Sequence, residues 1–488
     1  MKFISSIVLF LIVQTFAAQN PKPNIIYIYA DDLGYGELGC YGQQKISTPH
    51  LDQLAREGLR FTRHYSSAPV CAPSRCMLLT GKHPGHSYIR GNYELGGFAD
   101  HEEGGQMPLP EGTVTTAHLL RERGYKTALI GKWGLGMHYT TGNPQSQGFD
   151  YYYGYLCQKQ AHNYYPSHLW ENGKWDTLKN DPIFVHRKVD QANIKDQDYD
   201  YYKGAEYAPD KMTEKALKYI DENRRNPFYL YLAYPMPHLS LQVPDKALTD
   251  YLGKFDEKPY PGNAGYAMHK TPLSAYAAMI TYLDTQIGMV MDKIKSSGLE
   301  SNTIILFSSD NGTTFSKGVE AGYFNSTAGL RGLKMELYEG GIRVPFIVKW
   351  KGKIKENSTT DLVSVQYDLM ATLTDLLKLR KVPNDGISYL PTLLNKPTNQ
   401  IPRPYTYFEY PENGGQLAIH LGEWKGVKMN MKTNKNAQWQ LYHLSTDSKE
   451  SNDQSSKHPE IIKKLDEIVN KEHRNSHVRE WEFVNPKF

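Results

Sequence analysis

The stretch Asn24-Ile25-Ile26-Tyr27-Ile28-Tyr29-Ala30, closed by Asp31-Asp32, decides the fold. A continuous apolar run of that length reads as a strand buried on both faces of a largely parallel sheet. Four further runs repeat the pattern, at residues 127–130, 228–233, 303–307 and 345–350. Between them, residues 116–123, 212–223 and 276–296 show helical spacing. The fold class is therefore α/β, a large mixed, mostly parallel sheet sandwiched by helices.

The residues just past each strand point to a site. After the first comes Asp31-Asp32, after the second Gly131-Lys132-Trp133-Gly134, after the third Pro235-Met236-Pro237-His238, and after the fourth Ser309-Asp310-Asn311-Gly312. Ligands of open α/β sheets bind beyond the carboxyl ends of the strands, and parallel strands set those ends along one edge. Two aspartates, a lysine, a histidine and an Asp-Asn pair, far apart in sequence, can thus meet in one place. Asp31, Asp32, Asp310 and Asn311 are hard oxygen ligands. Such a set favours Ca²⁺, with Mg²⁺ as the alternative, over Zn²⁺. An isolated Asp-Asp after a strand also reads as a turn or helix cap.

The last hundred residues change character. A helical pattern at 367–378 gives way to a Pro- and Asn-rich passage at 382–404, then to strand-like pieces at 405–410, 424–429 and 438–443. An amphipathic helix is expected from Pro459 to about His473, burying Ile461, Ile462, Leu465, Ile468 and Val469. The expected division is a signal peptide at 1–18, a catalytic domain at 19–380, and a C-terminal subdomain at 381–488, an antiparallel sheet plus helix.

Composition narrows the partners. A formal net charge of +4 over 488 residues is too small and dispersed to argue for nucleic acid. Met1-Lys2, an apolar run over 3–16 and Ala17-Ala18-Gln19 read as a secretory signal, which implies a periplasmic or secreted protein. That run is too short to span a bilayer, and no later segment is apolar enough to do so. Four cysteines, Cys40, Cys71, Cys76 and Cys157, are not a disulfide scaffold. The 36 tyrosines suit either sugar faces or ordinary packing.

Cys71-Ala72-Pro73-Ser74-Arg75, followed by Leu79-Thr80-Gly81, is the most specific motif. Alone, Cys71 reads as buried, as a free thiol nucleophile, or as a modified residue. Arg75 would sit one helical turn on, where it could hold an anion or the nucleophile. The segment resembles the signature of the type I, formylglycine-dependent sulfatases of the alkaline phosphatase superfamily, bacterial glycan-degrading members above all. Asp31-Asp32, Gly131-Lys132-Trp133, His238 and Asp310-Asn311 occur in that family's order. So does the passage from Leu330-Arg331-Gly332-Leu333-Lys334 to Tyr338-Glu339-Gly340-Gly341.

The resemblance implies an exported sulfuric ester hydrolase acting on a sulfated carbohydrate, of galactose or N-acetylgalactosamine type. Cys71 would be oxidised to Cα-formylglycine by a maturation enzyme. Asp31, Asp32, Asp310 and Asn311 would hold Ca²⁺, with residue 71 beside it. Lys132 and Arg75 would bind the sulfate and the formylglycine hydroxyls, and His238 and Lys334 would serve the leaving oxygen. Gly134 departs from the family, many of whose members carry His there. His138 and His162 are the local candidates to replace it or to bind substrate. His162 lies in Gln158-Lys159-Gln160-Ala161-His162-Asn163-Tyr164-Tyr165, a polar-aromatic run suited to a sugar-binding rim. The alternatives are a phosphatase or phosphodiesterase of the same superfamily, and a non-catalytic glycan-binding relative.

Overall fold

The computed structural model describes residues 22–263 and 265–486, so the expected signal segment lies outside the described residues. Among those described, no helix is long and apolar enough to cross a membrane. All five apolar runs are strands of one ten-stranded sheet. At its centre the strands run in the order Thr303–Ser309, Asn24–Asp31, Phe228–Pro237, Lys126–Lys132 and Tyr151–Tyr155, each parallel to its neighbour. Phe346–Lys349 pairs antiparallel on the Thr303 side, which makes the sheet mixed.

Alternation along Asn24–Asp31 explains why the run is apolar throughout. Ile26, Ile28 and Ala30 face one core, while Ile25, Tyr27 and Tyr29 face another. The first core is closed by the helices Ala208–Glu222 and Pro272–Ser296, the second by Cys71–Thr80, Thr116–Glu122 and Asp368–Leu377. A strand covered on both sides has no position at which a polar residue is cheap. Tyrosine abundance resolves the same way: Tyr27, Tyr29, Tyr152, Tyr153, Tyr155, Tyr164, Tyr229 and Tyr231 are among the largest fully buried side chains. Most of that tyrosine is core, not sugar-facing surface.

Residues 406–443 form a separate four-stranded antiparallel sheet, including Gln416–Leu421, which the sequence pattern did not single out. The helix Pro459–Glu472 covers one face through Leu465, Ile468 and Val469, with Ile461 and Ile462 partly buried. The other face packs Phe408, Tyr410, Ala418 and Val427 against Leu337, Tyr338 and Ile342. This sheet therefore backs the segment just past Lys334. Buried Lys425 bridges Glu339 at 3.0 Å and Glu450 at 2.9 Å, and His420 meets Glu339 at 2.9 Å. Gln416 ties the loop down twice more, accepting from Leu337 N and donating to Met335 O.

Candidate active site

The Cys71 motif folds as the helix Cys71–Thr80, with every residue from 71 to 79 buried. Pro73 is tolerated in the first turn, where no intrahelical N–H bond is lost. Gly81 ends the helix with φ 68, and its N–H bonds to Met77 O at 2.9 Å. Cys71 and Arg75, one turn apart, both face the carboxyl ends of the central strands.

There the separated residues meet. Cys71 Sγ lies 3.4 Å from Asp31 Oδ1, and Lys334 Nζ lies 3.6 Å from the same sulfur. Lys132 Nζ donates to Asp31 Oδ2 at 2.6 Å, and Lys334 Nζ reaches Asp32 at 2.8 Å. His238 Nε2 stands 3.6 Å from Asp32 Oδ2. Arg75 donates to Asp310 Oδ2 through Nη2 at 2.7 Å and Nε at 3.2 Å, and to the Lys132 carbonyl at 2.9 Å. Asp32 takes a left-handed φ of 64, and its N–H donates to Asp310 Oδ1 at 3.0 Å. A non-glycine residue held in that conformation is strained, and such strain gathers at functional sites.

Burial sets the electrostatics. It opposes ionisation of Asp31, yet Lys132, His238, Arg75 and Lys334 together hold that carboxyl well below its ordinary value. Asp310 goes the other way: burial and then repulsion from Asp31 push it up to about 7, against the pull of Arg75. Burial pushes the Cys71 thiol well above its usual range, so as an unmodified cysteine it is a poor thiolate nucleophile at neutral pH. His238 is lowered to about 4, by burial and then by Lys334.

Does this set fit a divalent cation? Asp31, Asp32, Cys71 and His238 offer ligand atoms within 4.8 Å of one another, all buried. Asn311 Oδ1 is buried and accepts no hydrogen bond from the described residues, although Asn311 Nδ2 donates to Asp32 Oδ1 at 2.7 Å. An orphan oxygen beside three carboxylates is what a hard cation would satisfy. The carboxylates of Asp31, Asp32 and Asp310 are already balanced by Arg75, Lys132 and Lys334. A bound dication would leave the floor net positive, as an anionic ester requires.

Above this floor opens a cavity of about 390 Å³. Its walls come from segments the strand pattern did not mark: Asn92 and Glu94, Phe98, Gln158, His162, His186, Tyr266 and Phe315. His186 Nδ1 bonds the Gly265 carbonyl, so it carries the proton and leaves Nε2 as an acceptor. His162 Nδ1 lies 2.9 Å from that Nε2 and must donate to it, which makes His162 Nε2 an acceptor too. The His162 ring stacks on His238 with centroids 4.7 Å apart. Phe98 and Phe315 are the exposed aromatics of the mouth, at 37% and 59%.

Of the residues expected from sequence, Asp31, Asp32, Cys71, Lys132, His238, Asp310, Asn311 and Lys334 converge here, and His162 joins them. One reading is corrected. His138 lies apart, stacked on Trp170 at 4.5 Å between centroids and absent from the cavity lining. The chain turns away after Gly134, carrying His138 towards the Trp170 strand. Arg75 is 1% exposed and lies beneath the cavity lining, where Nε and Nη2 meet Asp310 and Nη1 meets the Lys132 carbonyl, so it braces the carboxylates from behind Cys71. The run at 158–165 is only partly rim, since Tyr164 and Tyr165 are buried in the core. His186 and Tyr266 carry no sequence signal: each is a lone residue in an irregular segment.

Comparison with known proteins places this geometry. A family model described as Sulfatase matches residues 23–379, and one described as N-sulphoglucosamine sulphohydrolase, C-terminal, matches 333–475. The chain is 32% identical to the N-acetylgalactosamine-6-O-sulfatase of Bacteroides thetaiotaomicron, over 94% of each chain. It is 32% identical to human arylsulfatase A, over 83% of this chain and 74% of that one. The crystal structure of Ps i-CgsB in complex with k-i-k-neocarrahexaose superposes with a TM-score of 0.76 at 26% identity, covering 96% of this chain and 94% of the other.

Proposed function

Because this chain belongs to the sulfatase family, we propose that it hydrolyses the 6-O-sulfate of a galactose- or N-acetylgalactosamine-type glycan, with Ca²⁺ and a formylglycine made from Cys71. The observation that carries this reading is the floor. Three aspartates and the orphan Asn311 oxygen meet Cys71 and Lys334 at one strand edge. The sugar class comes from the relatives, one an N-acetylgalactosamine-6-O-sulfatase and one solved with k-i-k-neocarrahexaose.

Asp31, Asp32, Asp310 and Asn311 would hold the cation, which supplies charge stabilisation to the sulfate oxygens when bound. Formylglycine at 71 would supply, as its hydrate, one hydroxyl to attack sulfur and a second to expel the sulfate afterwards. A plain cysteine in this position lacks that second hydroxyl, and its buried thiol resists ionisation. Lys132 fixes Asp31 and presents positive charge to the cavity. Lys334 carries its proton, since Asp32 raises its pKa against burial, and so serves as donor to the leaving oxygen. His238 donates Nδ1–H to Leu239 O at 2.5 Å, which turns Nε2 towards Asp32 and the reacting centre. His162, held as an acceptor by His186, receives a sugar hydroxyl, with Phe98 and Phe315 against the ring faces. Export to the periplasm or beyond would put the enzyme where such glycans are met, and Cys71 needs a maturation enzyme as partner.

Sulfate release from a panel of regiodefined sulfated galactose and N-acetylgalactosamine sugars tests the reading. Turnover confined to 6-O-sulfates is expected. Preference for another position would refute the regiochemistry, and preference for phosphate esters would refute the activity.

A further inference from the structure

Gly134 stands two residues beyond Lys132 with φ 77, a conformation that favours glycine. A Cβ built there would lie 2.6 Å from Gln158 Cγ and 2.8 Å from both Gln158 Cδ and Nε2. The Gln158 amide therefore fills the volume that a side chain at 134 would enter. Its backbone is fixed: Gln158 N donates to Gln106 Oε1 at 3.0 Å, and the adjacent Gly134 N donates to Leu156 O at 3.2 Å. Gln158 is 2% exposed, and its Nε2 has no hydrogen-bond partner among the described residues. A buried amide donor left without an acceptor is costly, and native proteins keep few of them. Gln158 lines the same cavity as Cys71, Lys132 and His238, with this donor at its wall.

We propose that Gln158 Nε2 donates a hydrogen bond to an oxygen of the bound sulfate ester, from the place that residue 134 leaves empty of side chain. The inference rests on the sulfatase reading and adds to it a substrate-binding group. The chemistry suits the position: an amide N–H₂ donates to sulfate without adding charge to a floor that already carries Arg75, Lys132 and Lys334.

The test uses the mature enzyme and two variants, Gln158→Met, which keeps length and loses the donor, and Gln158→Glu, which turns it into an anion. Binding of inorganic sulfate is measured by calorimetry, and kcat and KM are measured on 6-sulfated N-acetylgalactosamine and on a small aryl sulfate. Gln158→Met is expected to weaken sulfate binding and kcat/KM on both substrates about tenfold. Its unliganded Tm should equal or exceed that of the parent, because an unpaired donor has been removed. Gln158→Glu should lose about a hundredfold, since its carboxylate faces the sulfate. Unchanged sulfate affinity in Gln158→Met overturns the proposal, as does a lowered Tm with parental sulfate affinity, which marks a purely structural residue. If Gln158→Glu fails to fold, Gln158→Met decides alone. A parent enzyme that neither binds sulfate nor releases it refutes the sulfatase reading itself.

Discussion

At the floor of the cavity every charged group but Lys334, which comes from a loop, sits at or just past the end of a strand or on the buried helix behind them: Asp31, Lys132, Asp310 and Arg75 are at most 1% exposed. The rim is made otherwise. Glu94 and Phe98 come from the hairpin of Glu94–Gly96 and Glu103–Gln106, and His186 and Tyr266 from irregular segments. Lys159 Nζ to Gly96 O at 2.8 Å and Gln160 Nε2 to Ala99 O at 2.9 Å hold the hairpin over the site. The floor is rigid because the sheet core fixes each strand end and the C-terminal sheet pins the Lys334 loop. The rim rests on a few partly exposed hydrogen bonds, which open at lower free energy. Chemistry placed on the floor and recognition placed on the rim can therefore change independently.

Breaking the floor should have the largest effect. Cys71→Ala should lower kcat for sulfate-ester hydrolysis by about 10⁴-fold or more. Released sulfate measures this, with mass spectrometry of the peptide across residue 71 reporting whether the parent is modified there. Next comes the support behind the floor. Lys425→Met leaves Glu339 and Glu450 buried without their shared cation. It should cost about 3–5 kcal/mol in denaturant unfolding and lower activity through the Lys334 loop.

The rim should yield a smaller and more selective loss. His186→Ala frees the His162 tautomer and should raise KM for the sulfated sugar about tenfold, or ~1.4 kcal/mol. A small aryl sulfate should suffer less, and equal losses on both would end the division between floor and rim. The smallest effect at neutral pH belongs to neither. His64 is buried, stacked on Phe346, and lowered to about 3 by burial and then Arg403. Its folded pKa lies below the unfolded value of about 6.5. The stability it contributes is therefore complete above that pH and is lost as pH falls towards 3. The loss should be about 1.4 kcal/mol per pH unit. Tm measured against pH should flatten on its acid limb in His64→Leu, which separates acid unfolding of the core from titration of the site.

The same contrast explains what could be read from the chain alone. The central strands announce themselves because two-sided burial forces an unbroken apolar run, and parallel order puts the residues after each run on one edge. Asp31, Lys132, His238 and Asp310 were legible for that reason, and the long helix Pro272–Ser296 by its spacing. The strand Tyr151–Tyr155 was harder: tyrosines and a glycine give no unbroken aliphatic run, yet they pack within the sheet layers. His138 misled because nearness in sequence to Gly134 says nothing of where the chain turns. Gln158 and His186 reach the cavity through tertiary packing of loops, for which no periodicity exists.

The cluster of Glu339, His420, Lys425 and Glu450 also has a consequence for the order in which the enzyme is made. Lys334 is translated long before residue 450, yet the loop that aims it is pinned by groups up to Glu450. A ribosome that has delivered the whole ten-stranded sheet has still not delivered a finished site. The last ties on that corner of the floor come only as the final tenth of the chain emerges, so a chain cut before Glu450 lacks the anchor that Lys425 and Glu339 share.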